Sequence, residues 1–425
     1  GIVAFSCKKR GFCPSCCARR MNDEAAHLVD SVLPQVNMRQ WVLSFPYKLR
    51  FWMAHNARLT SQILPIFIKV ITSYQKKVAR NLGIKKARTG SVTFIQRFGS
   101  ALNLNVHFHA LFTDGVFFKN DSKNNSGGYE FCKLPEPTKE ELVTLASKIY
   151  DKVERLLNKI GTDQDQMGFD EDALNDLANI SIRHKAGFGE RAGQGLRRYG
   201  IKRIEVDPEG DDPYSANVGG FSLNAKVSVC GQEREKLEKL IRYMARGPIA
   251  SERLSESFPN SLIYKMKTRW KDGTTHVSFS HLDFIARLVA LVPPAKMNLV
   301  RYHGVFAPNF KDRALIVPSR PKPKPAAGEE LGTKDTLIAE KLRRERMRWS
   351  DMLKRTFEID VTICKTCGGR MEQIAVIKDK VVAKAILASL RETSIFRPLE
   401  VIWERGPPDP GGSSFENEYD QRDSW

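Results

Sequence analysis

Ile95 to Val116 reads IQRFGSALNLNVHFHALFTDGV, two alternating apolar runs joined by a short polar bend. The pattern predicts two strands, Ser91 to Phe98 and Leu104 to Thr113. On the second, alternation sets Leu104, Val106, Phe108, Ala110 and Phe112 on one face and Asn105, His107 and His109 on the other. Residues two apart on a strand have Cα atoms roughly 7 Å apart, close enough for two imidazoles to grip one ion. The same spacing also fits two exposed or hydrogen-bonded histidines. A hairpin centred between Ala101 and Leu102 brings Gln96 opposite His107, where it offers a third, oxygen ligand or is simply a polar residue on an edge.

Working outward, Gln40 to Phe45 reads as a buried strand. Leu59, Ile63, Ile66, Phe67, Val70, Ile71, Tyr74 and Val78 then recur at helical spacing until Gly83. Asp114-Gly115 is a second hairpin signal. Lys119 to Gly128 is polar and rich in Gly, Asn and Ser, and the helical pattern after it breaks near Gly161 to Gln166, so the chain from about 119 to 220 is expected to be an insertion. Phe221 to Val229 alternates as a strand, and a helix follows from Glu233 to Arg246 until Gly247-Pro248 stops it. A basic hairpin turns at Asp272-Gly273, and Leu282 to Val292 is an apolar helix.

On the Glu233 helix, Leu237, Leu240, Ile241 and Met244 form the apolar stripe. Tyr243 falls about 110° from its centre, on the side of Lys236 and Lys239, with Arg246 close to one turn further on. A phenol among cations is suited to attack phosphorus as the phenolate, although the same placement describes an ordinary boundary tyrosine. Together, a metal held by paired histidines and a tyrosine on a basic helix make a nicking and joining apparatus. The metal polarises a phosphate and the tyrosine keeps the cut 5′ end as an ester. No GxxxxGK[ST] phosphate loop occurs, and this chemistry needs no nucleotide.

Sixty-eight Lys and Arg against forty-nine Asp and Glu give a net charge of +19, which points to a polyanionic partner, nucleic acid before acidic protein. A hydrophobic content of 41% supports at least one large core. No run approaches the roughly 20 apolar residues of a membrane span, so a cytoplasmic protein with no membrane partner is expected. Eight cysteines in so long a chain do not make a disulfide scaffold. The chain opens Gly1-Ile2-Val3 without Met, which is read as a fragment lacking its true N-terminus.

FSCKKRGFCPSCCARRM, QWVLSFP, IQRFGSALNLNVHFHALFTDGV, YMARGPIASERL, WKDGTTHVSFSHLDFIARLVALVP and RYHGVFAPN, in that order, resemble the transposases of the insertion sequence ninety-one family and its common-region relatives, among the HUH single-strand nucleases. The resemblance covers most of the chain. It implies an α+β fold with a palm of ferredoxin-like or RNA-recognition-like topology, an antiparallel sheet with helices. It also implies an N-terminal zinc module, Mg2+ or Mn2+ at His107 and His109, Tyr243 as nucleophile, and rolling-circle transposition through single-stranded DNA at transposon ends. Many members carry two tyrosines in YxxxY; here Lys239 stands four before Tyr243, as in a single-tyrosine type. Arg246 resembles the basic residue that follows the nucleophile in related replication initiators.

The expected order is a partial zinc module at 1–20, the nuclease domain at 21–315, a Pro/Lys linker at 316–340, a small helical domain with a CxxC knuckle at 341–400, and a disordered tail from 401. Zinc needs four ligands. Cys13 and Cys16 form a knuckle with Cys7 as a weaker third ligand and Cys17 as a bystander, and the family's other CxxC would lie upstream, leaving the Zn2+ site incomplete. Cys364-Lys-Thr-Cys367 is a second lone knuckle. From Leu262 to Trp270, alternation sends Lys265, Lys267 and Arg269 to one face beside Trp270, a candidate DNA-binding groove joined by Lys239; the same face also fits a solvated edge strand. One other reading stays open, a catalytically inactive transposase-derived DNA-binding protein.

Overall fold

The computed structural model describes residues 13–119, 128–161, 173–200, 212–257, 261–267, 269–270, 272–294, 297–318, 349–364, 366–371 and 380–392. The chain divides into two compact units, one holding the described residues up to 318 and the other those from 349 to 392. The first unit opens with α1 (Pro14–Ser31), β1 (Met38–Ser44), α2 (Tyr47–His55) and α3 (Ala57–Asn81). Next come the hairpin β2 (Gly90–Phe98) and β3 (Leu104–Thr113), then β4 (Gly115–Lys119), β5 (Tyr129–Lys133), α4 (Lys139–Gly161) and α5 (Ala173–Ile182). β6 (Arg197–Tyr199), β7 (Ser215–Val218), β8 (Phe221–Asn224), β9 (Ser228–Val229) and α6 (Arg234–Ala245) follow. The unit ends with β10 (Leu254–Ser257), β11 (Ser261–Lys265), β12 (His276–Ser280), α7 (His281–Leu291) and β13 (Val300–Gly304).

The main sheet is antiparallel throughout, ordered β13-β2-β3-β1-β8-β7, with β9 also paired to β1. Every residue of β1, β2 and β3 is buried. Trp41, Leu43, Phe45, Phe108 and Phe112 face Ile63, Phe67 and Ile71 of α3 and Leu142 and Ile149 of α4. On the other face Met38, Val92, Phe94 and Leu111 meet Leu237, Leu240, Ile241 and Met244 of α6 and Leu28 and Val32 of α1. The unit is therefore helix, sheet, helix, and this second cover changes what the alternation on β3 means. The polar side of LNVHFHALFT is enclosed: His107 is 8% exposed and His109 2%.

Local chemistry fixes the cover. Pro14 sits at the start of α1, where its missing N–H is no loss and its φ is already helical. The helix thus begins before the amphipathic run from Asn22 and takes Cys16 and Cys17 into its first turns. At its far end the Arg234 guanidinium of α6 donates to the carbonyls of Val29, Leu33 (2.9 Å) and Pro34 (3.2 Å), so α6 caps α1.

One sequence expectation is corrected. Asp114-Gly115 does not fold β4 back on β3; β4 leaves the sheet to pair with β5. Asp114 turns inward instead, accepting from Arg39 Nε at 2.8 Å and Nη2 at 3.1 Å. Within the stretch from about 119 to 220, α4 buries Leu142, Leu145, Ala146, Ile149 and Val153 in the main core and β7 extends the main sheet. The amphipathic face of α4 is what its position requires.

A second sheet, β10-β11-β12-β6, carries the basic hairpin. In the other unit α8 (Trp349–Phe357) and α9 (Lys380–Glu392) flank a tight turn around Cys364 and Cys367. Among the described residues no helix is long and apolar enough to cross a membrane.

Candidate active site

The β2–β3 register places Gln96 directly across from His107, as the hairpin reading expects, while Phe94 lies across from His109. On the other side β1 sets Ser44 opposite His107 and Val42 opposite His109. The two imidazoles share one face, ring centroids 4.8 Å apart. α6 crosses this face and brings Tyr243 to it: the phenol ring stands edge-on to His109 at 5.9 Å between centroids, with an interplanar angle of 88°.

Burial is the main cause that holds both imidazoles neutral. It brings His107 down to about 4, with Arg50 and Arg246 adding to the effect against the Asn105 hydrogen bond. It also takes His109 well below the usual histidine range, helped by His107 and Arg246. Neutral imidazoles are what a metal needs. His107 Nδ1 lies 3.0 Å from the carbonyl oxygen of Asn105, so its proton belongs on Nδ1 and the Nε2 lone pair is available. His109 Nε2 is buried with no hydrogen-bond partner. Gln96 donates through Nε2 to the carbonyls of Met244 (2.8 Å) and Tyr243 (3.3 Å), while its buried Oε1 has no partner. The His107 Nε2 lone pair, the unpartnered His109 Nε2 and an orphaned amide oxygen on one face fit a divalent cation that accepts mixed N and O ligands once the His109 proton sits on Nδ1. Among the described residues no cluster of three or more His, Cys, Asp or Glu is placed to hold a metal.

Sequence reasoning missed Gln40. Its side-chain amide lies 2.7 Å from His109 Nδ1. With the nitrogen toward the ring, the amide donates to Nδ1 and the ring proton sits on Nε2. Turned by half a rotation, its oxygen accepts Nδ1–H and the Nε2 lone pair is presented. The signal was in QWVLSFP, where Gln40 alternates with Trp41 and Leu43 to share the histidine face.

The cations in contact with the Tyr243 ring are Arg246, as expected, and Lys267. Lys239 is exposed. The Arg246 guanidinium carbon lies 4.6 Å from the phenol centroid and 5.5 Å from that of Phe98, and Lys267 Nζ lies 5.0 Å from the phenol centroid. Lys267 thus reaches the tyrosine from the second sheet rather than completing a row with Lys265 and Arg269, both exposed, because β11 stops at Lys265. Trp270 is folded in, with Arg198 4.9 Å above its ring and the His184 ring edge-on at 5.1 Å.

At the other end of α1, Cys13 caps the helix and Cys16 lies one turn on, both partly exposed, while Cys7 lies outside the described residues. Gly247, just past α6, leaves no room for a side chain. A Cβ there would stand 2.6 Å from that of Cys17. The cysteine-bearing turn and the end of the tyrosine helix are therefore in contact.

Two family comparisons place this antiparallel palm among DNA-processing enzymes. Residues 90–314, more than half the chain and including both histidines and Tyr243, match the Y2_Tnp family of transposases, and residues 1–45 match the transposase zinc-binding domain Zn_Tnp_IS91. The chain belongs to the IS91 family of transposases, with a zinc-binding region at its N-terminus. No curated protein and no solved structure matches it.

Proposed function

We propose that this transposase nicks and rejoins single-stranded DNA at transposon ends through a 5′-phosphotyrosine link on Tyr243, in rolling-circle transposition. The observation that carries the reading is the 5.9 Å approach of the Tyr243 and His109 rings on the face shared with His107. His107, His109 and Gln96 would hold Mg2+ or Mn2+, which when bound supplies positive charge to the scissile phosphate and to the departing oxygen. The phenol loses its proton and its oxygen bonds to phosphorus. The bond from phosphorus to the 3′ oxygen breaks, and that oxygen leaves as a hydroxyl after taking a proton. Arg246 and Lys267, close to the phenol ring, favour the phenolate and steady the phosphate. The ester keeps the energy of the broken bond, so a 3′ hydroxyl reverses the step.

Zn2+ belongs to the N-terminal cysteines, with Cys13 and Cys16 as the ligands this reading assigns. Lys265, at the end of β11, and Arg269 beyond it are both exposed and suited to phosphates along a DNA strand. The proposed domain order keeps the nuclease within 21–315 and the second knuckle in 341–400. A tyrosine recombinase would pair its nucleophile with a His-x-x-Arg element. His55-Asn56-Ala57-Arg58 has that form, but α2 and α3 pack on the sheet face away from α6.

The test is incubation of the chain with single-stranded oligonucleotides of transposon ends and Mn2+, followed by denaturing electrophoresis. A protein band carrying the strand downstream of the cut, linked through its new 5′ phosphate, is expected. Tight DNA binding with no covalent product would favour the inactive, DNA-binding reading instead.

A further inference from the structure

The second cysteine pair lies in a built turn. Ile363 bridges Arg370, Cys364 N donates to the carbonyl of Gly369 at 2.8 Å, Gly368 N to that of Cys364 at 2.9 Å, and Met371 N to that of Thr362 at 2.7 Å. Gly368 takes φ +69°, the left-handed conformation that closes the turn. The backbone amides of Thr366 and Cys367 donate to the Cys364 sulfur. This is the way a metal-binding knuckle presents two sulfurs outward while amides spread the charge of a thiolate. Asp360 anchors the base of the turn, accepting from Lys354 Nζ at 2.9 Å and from Thr362 N at 3.0 Å. Cys367 is exposed, and the flanking Ile363 and Met371 are 46% and 41% exposed.

Two thiolates are half of a structural zinc site, and among the described residues no third Cys, His, Asp or Glu completes it. We propose that Cys364 and Cys367 bind Zn2+ together with the same two cysteines of a second copy of this chain, one ion clasping two chains. A two-fold contact brings identical pairs to opposite sides of one ion and covers the Ile363 and Met371 rims against each other. Four thiols lose their protons as the four Zn–S bonds form, with no change of oxidation state. The clasp stands apart from the nuclease reading, but its use rests on it: with Lys239 where a second tyrosine would stand, a paired chain brings the Tyr243 needed for a second strand transfer.

The chain, purified in reductant, is measured by light scattering and for zinc content, with and without chelator. A dimer is expected that falls to monomer on chelation. Cys364→Ser with Cys367→Ser should give monomer and lose one zinc per two chains, whereas Cys13→Ser with Cys16→Ser should stay dimeric. In that N-terminal variant, Co2+ should give thiolate charge-transfer absorption that grows more steeply than linearly with chain concentration. The proposal is overturned by a monomeric parent protein, by a dimer that survives loss of the knuckle, by a dimer that also needs Cys13 and Cys16, or by Co2+ absorption strictly linear in concentration. Covalent capture of a 5′ end by the knuckle variant should match the parent, which separates failure of the clasp from failure of the nuclease reading.

Discussion

The Tyr243 phenol stands edge-on to the His109 imidazole, ring centroids 5.9 Å apart, though the two side chains come from a helix and a strand more than a hundred residues apart. That contact joins the proposed nucleophile to the proposed metal site, and their roles separate by mutation. Tyr243→Phe keeps the ring packing and removes only the attacking oxygen. Covalent capture of a 5′ end should vanish while single-strand affinity stays within about threefold, since phosphate contacts dominate binding. Capture by the Phe variant at the parent rate would discard the nucleophile. His107→Ala with His109→Ala should abolish metal-dependent nicking, and nicking that persists would remove the metal site.

Gln40 is expected to act through His109. Gln40→Met removes the amide whose oxygen, turned to Nδ1, would fix the imidazole proton, and Mn2+ affinity followed by electron paramagnetic resonance should fall about 10- to 100-fold. Gln40→Glu, which keeps an acceptor, should restore most of it. Nitrogen NMR of His109 would report the tautomer directly, and an unchanged tautomer in Gln40→Met would end this role.

Lys267 is the cation that sequence reasoning placed on a DNA-tracking strand and the fold places near the phenol ring. Lys267→Met keeps the aliphatic stem and removes the charge. Nicking should slow by about tenfold or more, because the charge developing at the phenol oxygen and phosphate loses a stabilising cation. Lys265→Met should instead weaken binding and lower its salt dependence, with little change in the rate at saturating DNA. The opposite pattern would return Lys267 to the groove.

The β2–β3 hairpin was legible because alternation and a short bend fix register without help from the rest of the chain. Gln96 opposite His107 followed from that alone. What covers the histidine face was not legible: a strand buried on both sides still alternates if one side carries functional polar groups, so LNVHFHALFT resembled a half-wet strand. The place of Lys267 and Trp270 depends on the second sheet meeting the end of α6, a long-range contact that no local pattern encodes. Asp114-Gly115 misled for a related reason, since the side chain of Asp114 was claimed by Arg39 across the sheet rather than by its own turn.

That Arg39–Asp114 pair is almost wholly enclosed, 1% and 6% exposed at the side chains, and Arg39 also donates to the Ala225 carbonyl at 2.9 Å. Breaking it strands a buried charge, so Asp114→Ala should cost about 3–5 kcal/mol in urea unfolding. Glu136, also on Arg39 at 2.9 Å but 54% exposed, is screened, and Glu136→Ala should cost less than about 1 kcal/mol. Equal losses for the two variants would mean that the guanidinium is satisfied by its carbonyl contact alone.

His184 gives the fold an acid limit independent of the metal site. Burial is the main cause that brings it down to about 3, and Arg287, Arg198 and Arg50 add to this. The unfolded chain takes up this proton near pH 6.5 and the folded chain does not, so the stability that neutral His184 contributes is full above pH 6.5. It is lost as pH falls toward 3, by about 1.4 kcal/mol for each pH unit at most. His184 also has φ +50°, which Asn tolerates better than most residues. His184→Asn should therefore fold, and its melting temperature should fall less steeply than the parent's between pH 6.5 and 4. Parallel melting curves for the two proteins across that window would show that the acid sensitivity lies elsewhere.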